Sequence, residues 1–151
     1  SNVDDLTFVK SSTYGKGDVM IQSEPTVFIV DDDSSVLKGI SRLMKSVKLN
    51  EKTYSSAQDF LDSYKPEQPG CLLIDMRMPG ISGLELQEIL HSMNILIPTI
   101  IITGYGEVTD AVQAMKNGAI DFIEKPFNGQ YLLDQVHKAI AKDAQIRKKQ
   151  A

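Results

Sequence analysis

Four short, nearly uninterrupted apolar runs constrain the fold of this chain more than any other feature of its sequence. They lie at 27–30, 71–74, 98–102 and 120–123 and are rich in Val, Ile and Leu. A strand with one solvent-exposed face alternates apolar and polar residues, whereas a strand covered on both faces is continuously apolar. We therefore predict strands buried on both faces at 27–30 and 71–74, further strands at 98–102 and 120–123, and a more polar strand at 51–54.

Each predicted strand is followed by a segment with helical periodicity. Helices are predicted at about 34–47, 57–64, 83–93 and 108–116, and from 129 past residue 140. Ser34 or Ser35 is a candidate N-cap for the first helix, and Asp33 is expected to be a cap or a solvent-facing residue. Asn117-Gly118 is expected to end the fourth helix. Because parallel strands need crossover connections, five strand–helix pairs predict an α/β fold, a doubly wound five-stranded parallel sheet with five helices.

Composition excludes several classes of protein. A length of 151 residues suits one domain, and a net charge of −4 makes that domain a poor binder of nucleic acid. The single Cys71 excludes an internal disulfide and a multi-cysteine zinc site, and His91 and His137 lie too far apart in sequence to suggest a histidine metal cluster. Apolar runs of four to six residues are too short to span a membrane, so we expect a cytoplasmic protein without membrane contact.

The chain divides into three parts by pattern. Residues 1–25 show no clear period and are expected to form a flexible N-terminal extension, although they could order against the domain. The domain itself is expected at 26–142, and residues 143–151 are expected to be a basic helix end or the start of a linker. Basic side chains suit the negative end of a helix dipole, which favours a solvated helix end over a nucleic-acid contact at 146–149.

Polar residues follow four of the five predicted strands. They are Asp31, Asp32 and Asp33 after the first strand, Asp75 after the third, Thr103 and Gly104 at the fourth, and Lys125 and Pro126 after the fifth. Taken singly, each has an ordinary explanation as a cap, a turn or a surface residue. Because the carboxyl ends of parallel strands meet at one edge of a sheet, we expect these side chains to converge there.

The expected cluster has a definite chemistry. Crowded carboxylates repel one another unless a cation lies among them, and ligands that are all oxygen favour a hard ion such as Mg²⁺. A carboxylate beside Mg²⁺, a lysine and a hydroxyl suits phosphoryl transfer, in which the carboxylate attacks phosphorus and forms an acyl phosphate. The metal and the lysine would neutralise the phosphoryl oxygens, and the threonine hydroxyl would donate a hydrogen bond to one of them.

These motifs resemble the receiver domains of two-component response regulators. The resemblance lies in Val-Phe-Ile-Val-Asp-Asp-Asp at 27–33, Leu-Ile-Asp-Met-Arg-Met-Pro-Gly at 73–80, Ile-Ile-Thr-Gly at 101–104 and Phe-Ile-Glu-Lys-Pro-Phe at 122–127, and it covers about 26–142. The segments 103–107 and 111–116 look most like regulators that carry a C-terminal helix-turn-helix output domain. The resemblance implies a flavodoxin-like sheet with the strand order 2-1-3-4-5.

The same resemblance implies the roles of the catalytic and metal-binding residues. Asp75 would accept the phosphoryl group, and Lys125, joined to Pro126 by a cis peptide bond, would pair with the phosphoryl oxygens. Asp31 and Asp32 would hold Mg²⁺ together with Asp75, and the backbone carbonyl of Arg77 would complete the metal shell.

Other positions would respond to the phosphoryl group or tune its lifetime. Thr103 would contact it and rotate toward it, and the backbone N–H of Gly104 would bind it. Phe122 occupies the position of the switch aromatic and lacks a hydroxyl, so a switch here would work by packing alone. We expect the large side chains of Arg77 and Tyr105 to limit access of water, and an Arg77→Ala/Tyr105→Ala chain that loses its phosphoryl group at an unchanged rate would contradict this.

The functional expectation is a phosphorylation-controlled switch. A sensor histidine kinase would phosphorylate Asp75, and a surface of the fourth helix, fifth strand and fifth helix would then change to control a homodimer or an output domain, in keeping with transcription regulation. Such a domain would catalyse only its own phosphorylation and dephosphorylation. DNA would be contacted only by an output domain, which this sequence does not contain. The chain could be a stand-alone receiver or part of a longer regulator, and its uncapped basic end favours the latter.

Two alternatives remain open from sequence. Asp31-x-Asp33 after a buried strand also satisfies the D-x-D core of haloacid-dehalogenase-like phosphatases, with Asp31 as nucleophile and Asp33 as acid/base. That alternative leaves 75–79 unexplained and lacks a second acidic motif. A nucleotide or flavin binder on the same fold would need a glycine-rich loop after the first strand, which the sequence lacks.

Overall fold

The computed structural model describes residues 6–10, 18–22, 24–104 and 108–150. The strands in these ranges are β1 Leu6–Lys10, β2 Asp18–Gln22, β3 Thr26–Val30, β4 Asn50–Tyr54, β5 Gly70–Asp75, β6 Thr99–Thr103 and β7 Asp121–Glu124. The helices are α1 Ser34–Ser46, α2 Ala57–Ser63, α3 Gly83–Ser92, α4 Val108–Lys116 and α5 Gly129–Gln150.

Strands β3 to β7 form one parallel sheet in the order β4-β3-β5-β6-β7. Counted along the chain within this sheet, that order is 2-1-3-4-5, so the predicted doubly wound, flavodoxin-like fold is confirmed. The central strands β3, β5 and β6 are buried along their whole length, as the continuous apolar runs of β3 and β5 predicted. The edge strand β4 is the polar one, which explains why its sequence signal is weaker.

Alternation along each strand sends side chains into two separate cores. On one face, Phe28 and Val30 of β3 pack with α2, α3 and α4 through Phe60, Leu86 and Ala114. On the other face, the intervening residues pack with α1 and α5, and the main members of that cluster are Val27, Ile29, Ile40, Met44, Leu73, Ile102, Leu132 and Val136. Each face is covered by helices, which is the arrangement that a buried parallel sheet requires.

Helix ends follow local rules. The N-cap of α1 is Asp33, whose carboxylate accepts hydrogen bonds from the N–H and the hydroxyl of Ser35 at 2.9 and 2.7 Å. The expectation that Ser34 or Ser35 caps this helix is therefore wrong, and the expectation that Asp33 is a cap is confirmed, because its carboxylate binds the Ser35 N–H. Helix α4 ends as predicted, with Gly118 at a positive φ of 97° just past its last turn.

The N-terminal region contains two strands that the sequence pattern did not indicate. β1 and β2 pair antiparallel as a separate two-stranded sheet, with Phe8 opposite Met20 at its centre. Each strand is five residues long and mixes apolar with polar residues, so neither produces a distinct period. Residues 1–25 thus include a hairpin outside the five-stranded sheet.

Helix α5 continues well past residue 142, so the expected boundary between 142 and 143 falls inside this helix. Asp143 is buried, and its carboxylate accepts hydrogen bonds from the Gly70 N–H at 2.9 Å and from Arg147 Nε at 2.7 Å. The Arg147 guanidinium also donates to the carbonyls of Pro66 and Gln68 at 2.9 and 2.8 Å. Arg147 therefore anchors the helix to the loop before β5 and departs from the expected solvated helix end.

Among the residues that the structure describes, no helix combines the length and the apolar character needed to cross a membrane.

Candidate functional site

The carboxyl ends of four strands deliver the candidate residues to one edge of the sheet. Asp31 directly follows β3, Asp75 ends β5, Thr103 ends β6 and Lys125 directly follows β7. Backbone hydrogen bonds extend the ladder to this edge, because the Lys125 N–H donates to the Thr103 carbonyl at 2.8 Å and the Asp31 N–H donates to the Tyr54 carbonyl at 3.1 Å. The expected convergence is observed.

Three carboxylates lie together at this edge. Asp31, Asp32 and Asp75 each place a carboxylate oxygen within 4.8 Å of the other two. Asp31 and Asp75 are 2% and 7% exposed, whereas Asp32 is exposed to solvent. The cluster therefore has two buried acids and one acid that opens it to the surrounding water.

Lys125 is the cation of the cluster. Its Nζ lies 3.1 Å from Asp31 Oδ2 and 3.0 Å from Asp75 Oδ1, so one ammonium bridges the two buried carboxylates. The peptide bond between Lys125 and Pro126 is cis, as the resemblance implied. One ammonium facing three carboxylates leaves an excess of negative charge in the cluster.

The electrostatics of the cluster act on Asp75 and Lys125 in opposite ways. Burial raises the pKa of the Asp75 carboxyl to about 6, the Lys125 ammonium opposes this, and the charges of Asp31 and Asp32 add to it. Burial by itself would lower the pKa of Lys125, but its hydrogen bonds to Asp75 and Asp31 outweigh burial, so that pKa is raised. Lys125 therefore stays charged, and a bound cation would favour an ionised Asp75.

Mg²⁺ fits this donor set. Carboxylate oxygens are the hard ligands that Mg²⁺ takes in proteins, generally a few of them with water completing the octahedron. Asp31, Asp32 and Asp75 could supply such oxygens, and the exposed Asp32 leaves one side open to water. A divalent cation would also offset the excess negative charge, so the observed chemistry suits the expected ion.

Asp33 serves the site indirectly. Its backbone N–H donates to Asp31 Oδ1 at 2.9 Å, which orients the Asp31 carboxylate toward Lys125. Its own carboxylate is engaged as the cap of α1. An acid/base role for Asp33, as the phosphatase alternative required, finds no support in this arrangement.

Gly83 is a positioning residue that sequence reasoning did not single out. A Cβ at this position would lie 2.8 Å from the Asp75 carbonyl oxygen and 3.1 Å from the Met76 Cα. The Gly83 N–H also donates to the Met76 carbonyl at 3.0 Å, so the start of α3 is in direct contact with the segment that carries Asp75. The available signal was a glycine at the first position of the helix predicted at 83–93.

The remaining predicted residues lie around the cluster. The side chain of Thr103 is buried, Gly104 follows it at the end of β6, and Phe122 on β7 packs against the core that faces α2 to α4. Arg77 is exposed, and its guanidinium lies 3.0 Å from the carboxylate of Asp110 on α4. Tyr105 lies outside the described residues.

An apolar groove adjoins the cluster on the α1 side. It has a volume of about 620 Å³ and lies between α1 and the segment that joins β7 to α5. Its lining consists of Val36, Gly39, Ile40, Leu43, Lys125, Pro126, Phe127 and Gly129. Because Lys125 belongs to both features, the groove opens directly beside the acidic cluster.

Comparison with known proteins gives a consistent result. A family model described as "Response regulator receiver domain" matches residues 27–137. Nodulation protein W of Bradyrhizobium diazoefficiens is 42% identical over 134 residues, which are 89% of this chain and 59% of that protein. Transcriptional regulatory protein TdiR of Thauera aromatica is 41% identical over 125 residues, which are 83% of this chain and 55% of that protein.

Solved structures agree with these sequence comparisons. The structure described as "Low Resolution Structure of Response Regulator StyR" superposes with a TM-score of 0.81 at 45% identity, covering 85% of this chain and 65% of that one. The chain spans a little more than half the length of the two curated relatives named above.

Proposed function

This chain belongs to the response regulator receiver domain family, and we propose that Asp75 is the residue at which it is phosphorylated. A receiver domain is a phosphorylation-controlled switch. The observation that carries the assignment of Asp75 is its place beside Lys125 Nζ, at 3.0 Å, in a cluster with two further carboxylates. The haloacid-dehalogenase-like phosphatase alternative is not supported by these findings.

The proposed reaction is an in-line phosphoryl transfer to a carboxylate oxygen of Asp75. The oxygen forms a bond to phosphorus, the bond from phosphorus to the donor breaks, and its electron pair leaves with the donor group. Lys125 neutralises a phosphoryl oxygen, the Thr103 hydroxyl donates to another, and the Gly104 N–H supports the same group. Bound Mg²⁺, held by Asp31, Asp32, Asp75 and the Arg77 carbonyl, would add charge stabilisation to the phosphoryl oxygens.

Loss of the phosphoryl group by hydrolysis requires a water molecule to reach the phosphorus atom. We propose that the side chains of Arg77 and Tyr105 limit this access, as the family resemblance implies. Arg77 lies two residues after Asp75, which supports its part in the assignment. We propose that the chain catalyses only its own phosphorylation and dephosphorylation.

A sensor histidine kinase is the proposed phosphoryl donor. A donor must dock within reach of Asp75, and the apolar groove beside Lys125 offers unpartnered apolar surface there, including Ile40, Leu43 and Phe127. Grooves of this kind, apolar with a few polar groups at one end, suit an amphipathic helix. The groove between α1 and the β7–α5 segment supports docking of a helical kinase domain.

The proposed readout surface comprises α4, β7 and α5. Val112 and Met115 of α4 are 47% and 38% exposed, and Tyr131 of α5 is 45% exposed, so this surface carries apolar groups available for a partner. Thr103 ends β6, the strand between β5 and β7, and Phe122 lies on β7. We propose that both shift when the phosphoryl group is present. A homodimer or an output domain would read this change.

The relatives suggest what such an output could be. TdiR is called a transcriptional regulatory protein and is longer than the region matched here. We propose that the state of Asp75 is passed to a transcriptional output domain in a protein of that kind, and that any DNA contact belongs to the output domain.

Acetyl phosphate with Mg²⁺ tests the assignment of Asp75. We expect the unchanged chain to gain one phosphoryl group by intact-mass measurement, and Asp75→Asn to gain none, because an amide cannot form the acyl phosphate. Chelation of Mg²⁺ should suppress the reaction. Equal uptake by Asp75→Asn would show that another residue is the acceptor.

A further inference from the structure

The ion pair between Arg77 and Asp110 connects the phosphorylation site to helix α4. Arg77 lies two residues after Asp75, in the segment that joins β5 to α3, whereas Asp110 lies in the first turn of α4. Their nitrogen–oxygen distance is 3.0 Å, and the hydrogen-bond geometry is satisfied. The Arg77 side chain therefore reaches from the site to the helix that begins the proposed readout surface.

The ion pair between Arg77 and Asp110 is weak enough for a phosphoryl group on Asp75 to displace Asp110 from Arg77. The Arg77 side chain is 70% exposed and that of Asp110 is 32% exposed, so water weakens their attraction. A phosphoryl group on Asp75 would bring about −1.5 to −2 charge units. The planar guanidinium of arginine can bind two phosphoryl oxygens by two parallel hydrogen bonds, and the larger charge of the phosphoryl group makes it a better partner than one exposed carboxylate.

We propose that Asp110 is a positioning residue that acts through Arg77. Asp110 holds the Arg77 guanidinium on α4 while Asp75 is unmodified, and the phosphoryl group competes for the same guanidinium. This inference rests on the proposed phosphorylation of Asp75. When the Arg77 guanidinium moves from Asp110 to the phosphoryl oxygens, the first turn of α4 loses this ion pair. Phosphorylation of Asp75 is thereby coupled to the readout surface.

Thermodynamic reciprocity sets the direction of the effect. If the phosphoryl group weakens the Arg77–Asp110 pair, that pair must weaken binding of the phosphoryl group by the same factor. Removing the Asp110 charge should therefore strengthen binding of a phosphoryl mimic. For an exposed ion pair the expected factor is about two- to fivefold.

Beryllofluoride with Mg²⁺, a stable mimic of the phosphoryl group, measures this by isothermal titration calorimetry. We expect Asp110→Asn to bind it about two- to fivefold more tightly than the unchanged chain, and Asp110→Glu to bind it as the unchanged chain does. Glu88→Gln, which removes an exposed carboxylate from α3, is the charge-matched control and should change the affinity much less.

A double-mutant cycle separates this role from a general charge effect. In an Arg77→Ala background, Asp110→Asn should change the affinity no more than Glu88→Gln does. A tightening that persists without Arg77, or that Glu88→Gln reproduces, would overturn the proposal.

Hydrogen exchange tests the ion pair without any phosphoryl mimic. Arg77→Ala, which leaves Asp110 in place, should speed amide exchange in the first turns of α4, and unchanged exchange would contradict the proposal. Absence of beryllofluoride binding by the unchanged chain would contradict the proposed phosphorylation of Asp75. The exchange measurement would still test whether the ion pair with Arg77 stabilises α4.

Discussion

At the scale of single residues, the function depends on how Asp75 and Lys125 balance each other. Burial works against an ionised Asp75, and the Lys125 ammonium at 3.0 Å works for it. Asp31 shares the same ammonium at 3.1 Å, so neither carboxylate has a full counter-charge. This incomplete charge compensation suits a divalent cation, and the proposed phosphorylation would use the Asp75 carboxylate.

The first prediction at this scale concerns Tyr64 at alkaline pH. Burial raises the pKa of Tyr64 to about 12, and Arg147 opposes this while Asp143 adds to it. Because the unfolded phenol ionises near 10, the folded chain binds more protons between pH 10 and 12, so stability falls across that range. The free energy of unfolding should fall by up to about 2–3 kcal/mol more than in Tyr64→Phe.

Urea unfolding of both chains from pH 9 to 12 measures this difference, and subtraction removes the contribution of lysines common to both. A difference that stays constant across the range would show that Tyr64 ionises as freely in the folded chain as in the unfolded one.

The second prediction compares two glycines. Gly83→Ala should destabilise the fold by about 1–3 kcal/mol, because its Cβ would lie 2.8 Å from the Asp75 carbonyl oxygen and the backbone must move. Phosphorylation by acetyl phosphate should slow as well, since the displaced segment carries Asp75.

Gly39→Ala is the matched control for this substitution. No atom lies within 4 Å of its added Cβ, so it should stabilise α1 by about 0.5–1 kcal/mol. Thermal unfolding gives both values, and a Gly83→Ala chain as stable as Gly39→Ala would contradict the close packing at the start of α3.

At the scale of elements, α1 lines the groove proposed for the donor and α4 belongs to the proposed readout surface. Helix α1 buries Ile40 and Met44 in the core, and its open side lines the apolar groove beside Lys125. Helix α4 carries exposed Val112 and Met115 and receives Arg77 from the site. The two helices thus lie on opposite sides of the sheet. Helix α1 lies at the proposed docking surface for the phosphoryl donor, and α4 lies in the proposed readout surface.

The third prediction uses Gly39 to fill the groove. Gly39 is exposed on α1 and has open space around it, so Gly39→Phe should fold normally while its ring occupies the groove. Phosphoryl transfer from a sensor histidine kinase that phosphorylates the unchanged chain should slow about tenfold or more, as expected when contacts at the centre of an interface are lost.

Phosphorylation of Gly39→Phe by acetyl phosphate should stay the same, because this small donor does not need the groove. Gly39→Ala controls for the loss of glycine and should keep the kinase rate. Equal kinase rates for Gly39→Phe and Gly39→Ala would place the docking surface elsewhere.

At the scale of the whole molecule, the domain carries a cluster of carboxylates at one edge of the sheet and a hydrogen-bonded attachment of α5 at the opposite edge. The net charge of −4 includes three carboxylates gathered at one edge of the sheet. At the opposite edge, Asp143 and Arg147 hold the far part of α5 against the loop before β5. The C-terminal half of α5 is therefore fixed to the rest of the domain by these hydrogen bonds.

The fourth prediction is that Mg²⁺ stabilises the whole fold. Binding to the folded chain alone adds about 1 kcal/mol when the ion is at roughly five times its Kd. That gain corresponds to a rise in Tm of about 3–4 °C for a domain of this size.

Thermal unfolding with MgCl₂, against NaCl of equal ionic strength, provides the measurement. Asp32→Asn should lose most of the gain while folding normally, because Asp32 is exposed and belongs to the acidic cluster. An equal rise in NaCl would indicate general screening in place of a bound ion.

The sequence by itself determined the five-stranded sheet, its helices and the residues at its functional edge. A strand with a continuous apolar run, such as 71–74, has apolar side chains on both faces, so helices must cover both faces of its sheet. Strands connected in this way are parallel, and their carboxyl ends meet at one edge of the sheet. Asp31, Asp75 and Lys125 were predictable for this reason, although 94 residues separate the first from the last.

Only the tertiary structure decided the contacts that depend on distance across the fold. Gly83 was identified as the close approach to Asp75, Arg147 as an anchor and Asp110 as the partner of Arg77. Periodicity reports which face of an element is buried, but it carries no information on which side chains from different elements come within about 3 Å. Such pairings depend on how loops place the ends of helices, and that placement exists only once the two cores have packed.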